Sequence, residues 1–72
     1  MLIKLPRIDN KPPMVIKSEN IQNINIFDLV FDVWLKDNED SQIKISCPIS
    51  VLPELEALLE IVDLTKPQKN PF

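Results

Sequence analysis

Between Ile24 and Lys36 every odd position from 27 onward is large and apolar: Phe27, Leu29, Phe31, Val33 and Leu35. The even positions, Ile24, Ile26, Asp28, Val30, Asp32, Trp34 and Lys36, are mixed. A period of two sends alternate side chains to opposite faces of a sheet. Enrichment in β-branched and aromatic residues favours a strand over a helix. The pattern predicts a strand through 24–36 with its odd face in the core.

Asp37-Asn38-Glu39-Asp40-Ser41 is polar throughout and reads as a loop. From Gln42 to Cys47 the alternation returns, with Ile43, Ile45 and Cys47 apolar and Gln42, Lys44 and Ser46 polar. The two runs form a hairpin. With no glycine for a two-residue primed turn, a loop of about four or five residues around a type I turn is expected. One register sets Leu35 against Ile43, Val33 against Ile45, Phe31 against Cys47 and Trp34 beside Lys44. A slip by two sets Asp32 opposite Lys44 and also keeps the apolar faces together.

Pro48 closes the second strand. Ser50 is a candidate N-cap, and Pro53 is tolerated in a first helical turn, where its missing N–H has no partner to lose. Leu52, Leu55, Leu58, Leu59 and Val62 make one apolar stripe, with Glu54, Glu56, Glu60 and Asp63 mostly off it. The spacing predicts an amphipathic helix of about three turns ending before Pro67.

At the other end, residues 2–5 and 14–17 are short apolar-polar runs beside Pro6 and Pro12-Pro13. Proline cannot donate to a ladder, so these are edge strands or extended arms. Asp9-Asn10-Lys11-Pro12 between them reads as a turn. The expected fold is α+β: a small antiparallel sheet of three to four strands with one C-terminal amphipathic helix on one face. Residues 1–65 form a single small domain, its first 20 residues a proline-broken arm or edge strands, and 66–72 a mobile tail.

Composition narrows the function. The chain has 72 residues, no histidine, no glycine and one cysteine. Histidine is the usual proton shuttle near neutral pH and the commonest metal ligand, and glycine lets a backbone close on a phosphate. A single thiol excludes an intramolecular disulfide, and with no histidine a structural zinc site is not credible. No cofactor, metal or catalytic group is expected. Cys47 lies on the core parity, and a nucleophilic cysteine would need an activating base.

Net charge is −3 and unevenly spread. Residues 1–20 sum to +2, whereas 37–65 carry seven acids against Lys44 and sum to −6. An acidic balance argues against a nucleic-acid binder, which needs clustered Lys and Arg. Met1-Leu2-Ile3-Lys4-Leu5-Pro6 has no long apolar core of a signal peptide, and no run approaches a membrane span. These points lead to the expectation of a cytoplasmic protein whose partner is another protein, itself or a larger one.

The even face of the central run is the candidate contact surface. Ile24, Ile26, Val30 and Trp34 point away from the helix, where a two-layer domain meets water. Tryptophan is enriched among residues that dominate interface energy. The alternative is that the N-terminal segment folds over this face, with Leu2, Leu5, Ile8 or Val15 as cover. A second functional reading uses charge: Asp28, Asp32, Asp37, Glu39 and Asp40 as an acidic surface that occupies a nucleic-acid site on a larger enzyme. Asp28 and Asp32, four apart on a strand and about 13 Å distant, do not suit a shared proton or metal, and the loop acids lack the EF-hand spacing. The last three residues, Asn70-Pro71-Phe72, resemble the tripeptide that EH domains bind in endocytic proteins.

Overall fold

The computed structural model describes residues 1–36, 39 and 41–65. Among these residues five strands, β1 (Leu2–Leu5), β2 (Met14–Lys17), β3 (Ile21–Ile26), β4 (Val30–Lys36) and β5 (Gln42–Pro48), precede one helix, α1 (Leu52–Leu59). Single 3-10 turns at Ser18–Asn20 and Ile49–Val51 lead into β3 and α1. The class is α+β, as the patterning predicts, but the strands fall into two antiparallel sheets rather than one: β1-β2, and β3-β4-β5.

The run through 24–36 is not one strand. The chain reverses at Asp28-Leu29, and β3 pairs with β4 so that Ile24 meets Val33, Asn25 meets Asp32 and Ile26 meets Phe31. The Phe27 N–H donates to the Val30 carbonyl at 2.9 Å, carrying the ladder one rung beyond β3 and leaving a two-residue loop. Neither loop residue has a positive φ. The turn therefore forms without the glycine or asparagine that primed hairpin turns call for.

The β4–β5 hairpin takes the register with Leu35 against Ile43, Val33 against Ile45, Trp34 against Lys44 and Phe31 against Cys47. Phe31, Val33 and Cys47 are fully buried, and Ile45 nearly so. Ile3, Leu5 and Ile16 join them from the β1-β2 sheet, and Leu52 and Leu55 from the helix. Fully burying one such side chain contributes roughly 1.5–3 kcal/mol, so these residues hold the layers together. The N-terminal hairpin thus covers the core face of the larger sheet. The alternative in which it folds over the Trp34 face is corrected: the Ile3, Leu5 and Ile16 side of the hairpin finds a larger apolar surface on the other side.

The Asp9-Asn10 turn forms as predicted. The Lys11 N–H donates to the Ile8 carbonyl, with Asp9 at φ 61° and Asn10 at φ 58°. Two consecutive positive φ values define a type I′ turn, and Asp and Asn tolerate that region best after glycine. The Ile8 N–H then reaches the Ser46 carbonyl at 3.1 Å, tying the arm to the outer edge of β5.

The helix is shorter than the leucine stripe suggests. Glu60 adopts the left-handed conformation (φ 56°, ψ 40°), its N–H bonds the Ala57 carbonyl, and the Ile61 N–H bonds Glu56. This pair of bonds is the Schellman ending. Only Leu52 and Leu55 of the stripe are buried, and Val62 beyond the cap is exposed. Ser50 lies inside the preceding 3-10 turn and caps nothing; Val51 is at the N-cap, and Pro53 sits in the first turn as expected.

Candidate functional site

The alternation of β3, β4 and β5 builds a second sheet face opposite the core. Directly opposed residues share a face, so its rows run Asn23–Trp34–Lys44 and Asn25–Asp32–Ser46, and end at Phe27, Val30 and Pro48. Neither the N-terminal hairpin nor the helix covers it, since the buried residues of both join the cluster on the other side.

Trp34 is half-buried at the middle of this face. Its indole Nε1–H is shielded from solvent and has no hydrogen-bond partner among the described residues. The Lys44 ammonium lies 5.9 Å from the ring centroid, at the outer limit of a cation–π contact. Gln22, Asn23, Asn25 and Gln42 surround the ring in a shallow dish. The Gln42 Nε2 donates to Gln22 Oε1 at 3.2 Å, so the amides of the two outer strands meet across β4. Below them the Ser46 hydroxyl donates to Asp32 Oδ1 at 2.7 Å. The surface carries Lys44 and Asp32 in its two middle rows, is apolar at the Phe27 end and has carboxamides around Trp34.

Of the four residues expected to form the contact patch, the structure keeps Val30 and Trp34 together and removes Ile24 and Ile26. The reversal at Asp28-Leu29 inverts the parity: Ile24 and Ile26 are carried to the core side beside Val33 and Phe31. By the same inversion Phe27, expected in the core, stands on the outer face opposite Val30 with 54% of its surface exposed. Leu29, also expected inside, is 80% exposed in the loop. The signal that could have found the turn was Asp28, a turn-favouring residue inside an otherwise apolar stretch.

The acidic residues do not converge. Asp28 is at the β3–β4 turn and Glu39 in the β4–β5 connection, at opposite ends of β4, a strand of seven residues and so roughly 20 Å long. Asp32 lies between them with its carboxylate engaged by Ser46. Asp37, Asp40 and the Asn70-Pro71-Phe72 tail lie outside the described residues. Among the described residues no group of three His, Cys, Asp or Glu could hold a metal ion, and no helix is long and apolar enough to cross a membrane.

Cys47 is fully buried. Desolvation, with a smaller contribution from the Asp32 charge, pushes its thiol up to about 11. It is protonated at neutral pH and inert as a nucleophile. No family model matches the chain, and neither a curated protein nor a solved structure is matched by it.

Proposed function

We propose that this chain is a non-catalytic protein-binding module that contacts its partner through the outer face of the β3-β4-β5 sheet, with Trp34 at the centre. One observation carries the reading: the chain's single tryptophan lies on the middle strand of the face that neither the hairpin nor the helix covers. Buried aromatic anchors with a polar surround are the usual anatomy of a protein contact. Here Phe27, Val30 and Pro48 add a second apolar row beyond Asp32 and Ser46, and Gln22, Asn23, Asn25 and Gln42 supply neutral hydrogen-bonding groups around Trp34. The unpaired Trp34 N–H adds to this: an orphaned buried donor costs about 1–3 kcal/mol, a cost relieved if binding brings an acceptor to it.

The same features speak against chemistry. The chain offers no histidine, and its thiol is held protonated. The partner is a protein, either a second copy or a larger chain.

Site-directed photo-cross-linking in the native cell tests the reading. A photoreactive side chain at Gln42 or Lys44 should give one discrete protein adduct, abolished by Trp34→Asp, while the same group at Glu54 on the helix should not. Adducts of equal yield from Glu54, or outer-face adducts indifferent to Trp34→Asp, would refute it.

A further inference from the structure

The free edges of the two sheets are not alike. β1 carries Lys4 and is followed by Pro6, and β2 carries Lys17 and is preceded by Pro13. β5 carries Lys44 and Pro48, and its outer edge is engaged by the Ile8 N–H. Lysine, proline and a covering segment are the means by which proteins keep edges from pairing. β3, with the sequence Ile-Gln-Asn-Ile-Asn-Ile, carries neither charge nor proline. Its one irregularity, the bulge between Ile21 and Asn23, leaves Asn23–Ile26 regular.

The pairing with β4 fixes which backbone groups of β3 remain open. Phe27 and Val30 form the hydrogen-bonded rung that closes the hairpin. Rungs alternate in an antiparallel pair, so Asn25 and Asn23 bond to β4, and the N–H and C=O of Ile24 and Ile26 point outward.

We propose that this edge pairs with the same edge of a second copy, antiparallel about a two-fold axis at Asn25, to give a continuous six-stranded sheet. In that register Ile24 faces the partner's Ile26 and accepts and donates one hydrogen bond with it. The two-fold repeats the exchange, so the open groups of Ile24 and Ile26 are satisfied in both copies. Asn25 meets the partner's Asn25, and Asn23 meets the partner's Phe27. The strand is its own complement: isoleucine lies against isoleucine on the core side, and the amide row lies against its own counterpart on the outer side. No charge opposes self-pairing, and none selects a different partner. Ile26, 57% exposed in one chain, gains apolar neighbours. The contact is small by the standard of stable interfaces, which places the dimer among weak, concentration-dependent ones. It deepens the protein-binding reading and rests on it, because it joins two outer faces side by side into one surface carrying two Trp34 side chains.

Sedimentation velocity across a concentration series, on the full chain, tests the proposal. The expected result is a reversible shift from 8.3 kDa toward twice that mass. Asn25→Lys, which sets two ammonium groups at the axis, should weaken the dimer roughly tenfold or more, and Asn25→Ser should retain it. Residues at the axis form a non-hydrogen-bonded rung about 4.5 Å apart at Cα, within reach of a disulfide. Asn25→Cys should therefore cross-link under mild oxidation, with the buried Cys47 not competing. A monomer at every concentration, or a dimer untouched by Asn25→Lys and not cross-linked through Asn25→Cys, overturns the proposal. Circular dichroism of each variant separates loss of pairing from loss of fold. The photo-cross-linking above, from β5 positions away from the paired β3 edge, reports on the outer face in a chain of either state, so failure of one idea is told apart from failure of the other.

Discussion

Ile26 stands opposite Phe31 on the core side of the β3–β4 pair. An even-numbered residue thus shares a face with the odd-numbered core of β4, and the composition of both faces follows from this rung. It takes two isoleucines out of the outer surface, brings Phe27 into it and leaves Trp34 among carboxamides.

The first consequence is a contrast in stability between neighbours of the same parity. Phe31→Ala should cost roughly 3–5 kcal/mol, the range for emptying a buried aromatic site, and in a marginal small domain that amounts to unfolding. Leu29→Ala, two residues earlier in the exposed loop, should change stability by no more than about 0.5 kcal/mol. Urea unfolding of the two variants measures both.

A second prediction concerns Cys47. Its thiol is raised from an ordinary 9.0 to about 11 in the folded chain, by burial first and by Asp32 second. Above pH 9 the unfolded thiol loses its proton while the folded one keeps it, so unfolding releases protons and stability falls as pH rises. The stabilisation is complete below pH 9 and is lost progressively up to about pH 11. The difference in unfolding free energy between the native chain and Cys47→Ala should narrow across that window. Thiol labelling at pH 8 should proceed only as fast as the chain opens.

The chain's lack of glycine has a measurable cost at its helix end. Glu60 holds the left-handed conformation that glycine adopts without penalty. Glu60→Gly should raise stability by about 1 kcal/mol, seen as a melting temperature higher by roughly 4–8 °C for a domain of this size. Glu60→Val, β-branched in the same region, should lower it.

Ser46 and Asp32 offer a fourth test. The Ser46 hydroxyl is bonded to the Asp32 carboxylate at 2.7 Å in a partly buried setting. Hydrogen bonds to charged groups contribute about 1.5–3 kcal/mol, so Ser46→Ala should destabilise by an amount toward the lower end of that range. The double variant with Asp32→Ala should cost less than the sum of the singles in a denaturation cycle.

The parts of the fold legible in the sequence were those where local chemistry and alternation agree. Val33 against Ile45 and Trp34 against Lys44 formed one of the two registers that kept apolar faces together, and Asp9-Asn10 has residue types suited to its positive φ. The strand break at Asp28-Leu29 was hidden because Phe27, Leu29 and Phe31 maintain a period of two straight through a turn with no glycine or proline to mark it. Only tertiary pairing distinguishes Leu29 in a loop from Leu29 in a core. The helix was read too long because Val62 continues the leucine periodicity past the point where Glu60 turns the backbone. Of the contact surface, Val30 and Trp34 were readable; Asn23, Asn25 and Gln42 were not, because they become neighbours of Trp34 only once β3 and β5 flank β4.

The central claim is that the chain folds back at Asp28-Leu29 and leaves β3 as an open, self-complementary edge beside the Trp34 face. Residue-resolved amide hydrogen exchange at two protein concentrations tests it most directly. The account predicts that Asn23 and Asn25 are protected at both, while Ile24 and Ile26 exchange freely in dilute solution and become protected in concentrated solution. Equal protection of all four amides in dilute solution, or Ile24 and Ile26 amides that stay unprotected at high concentration, would contradict it.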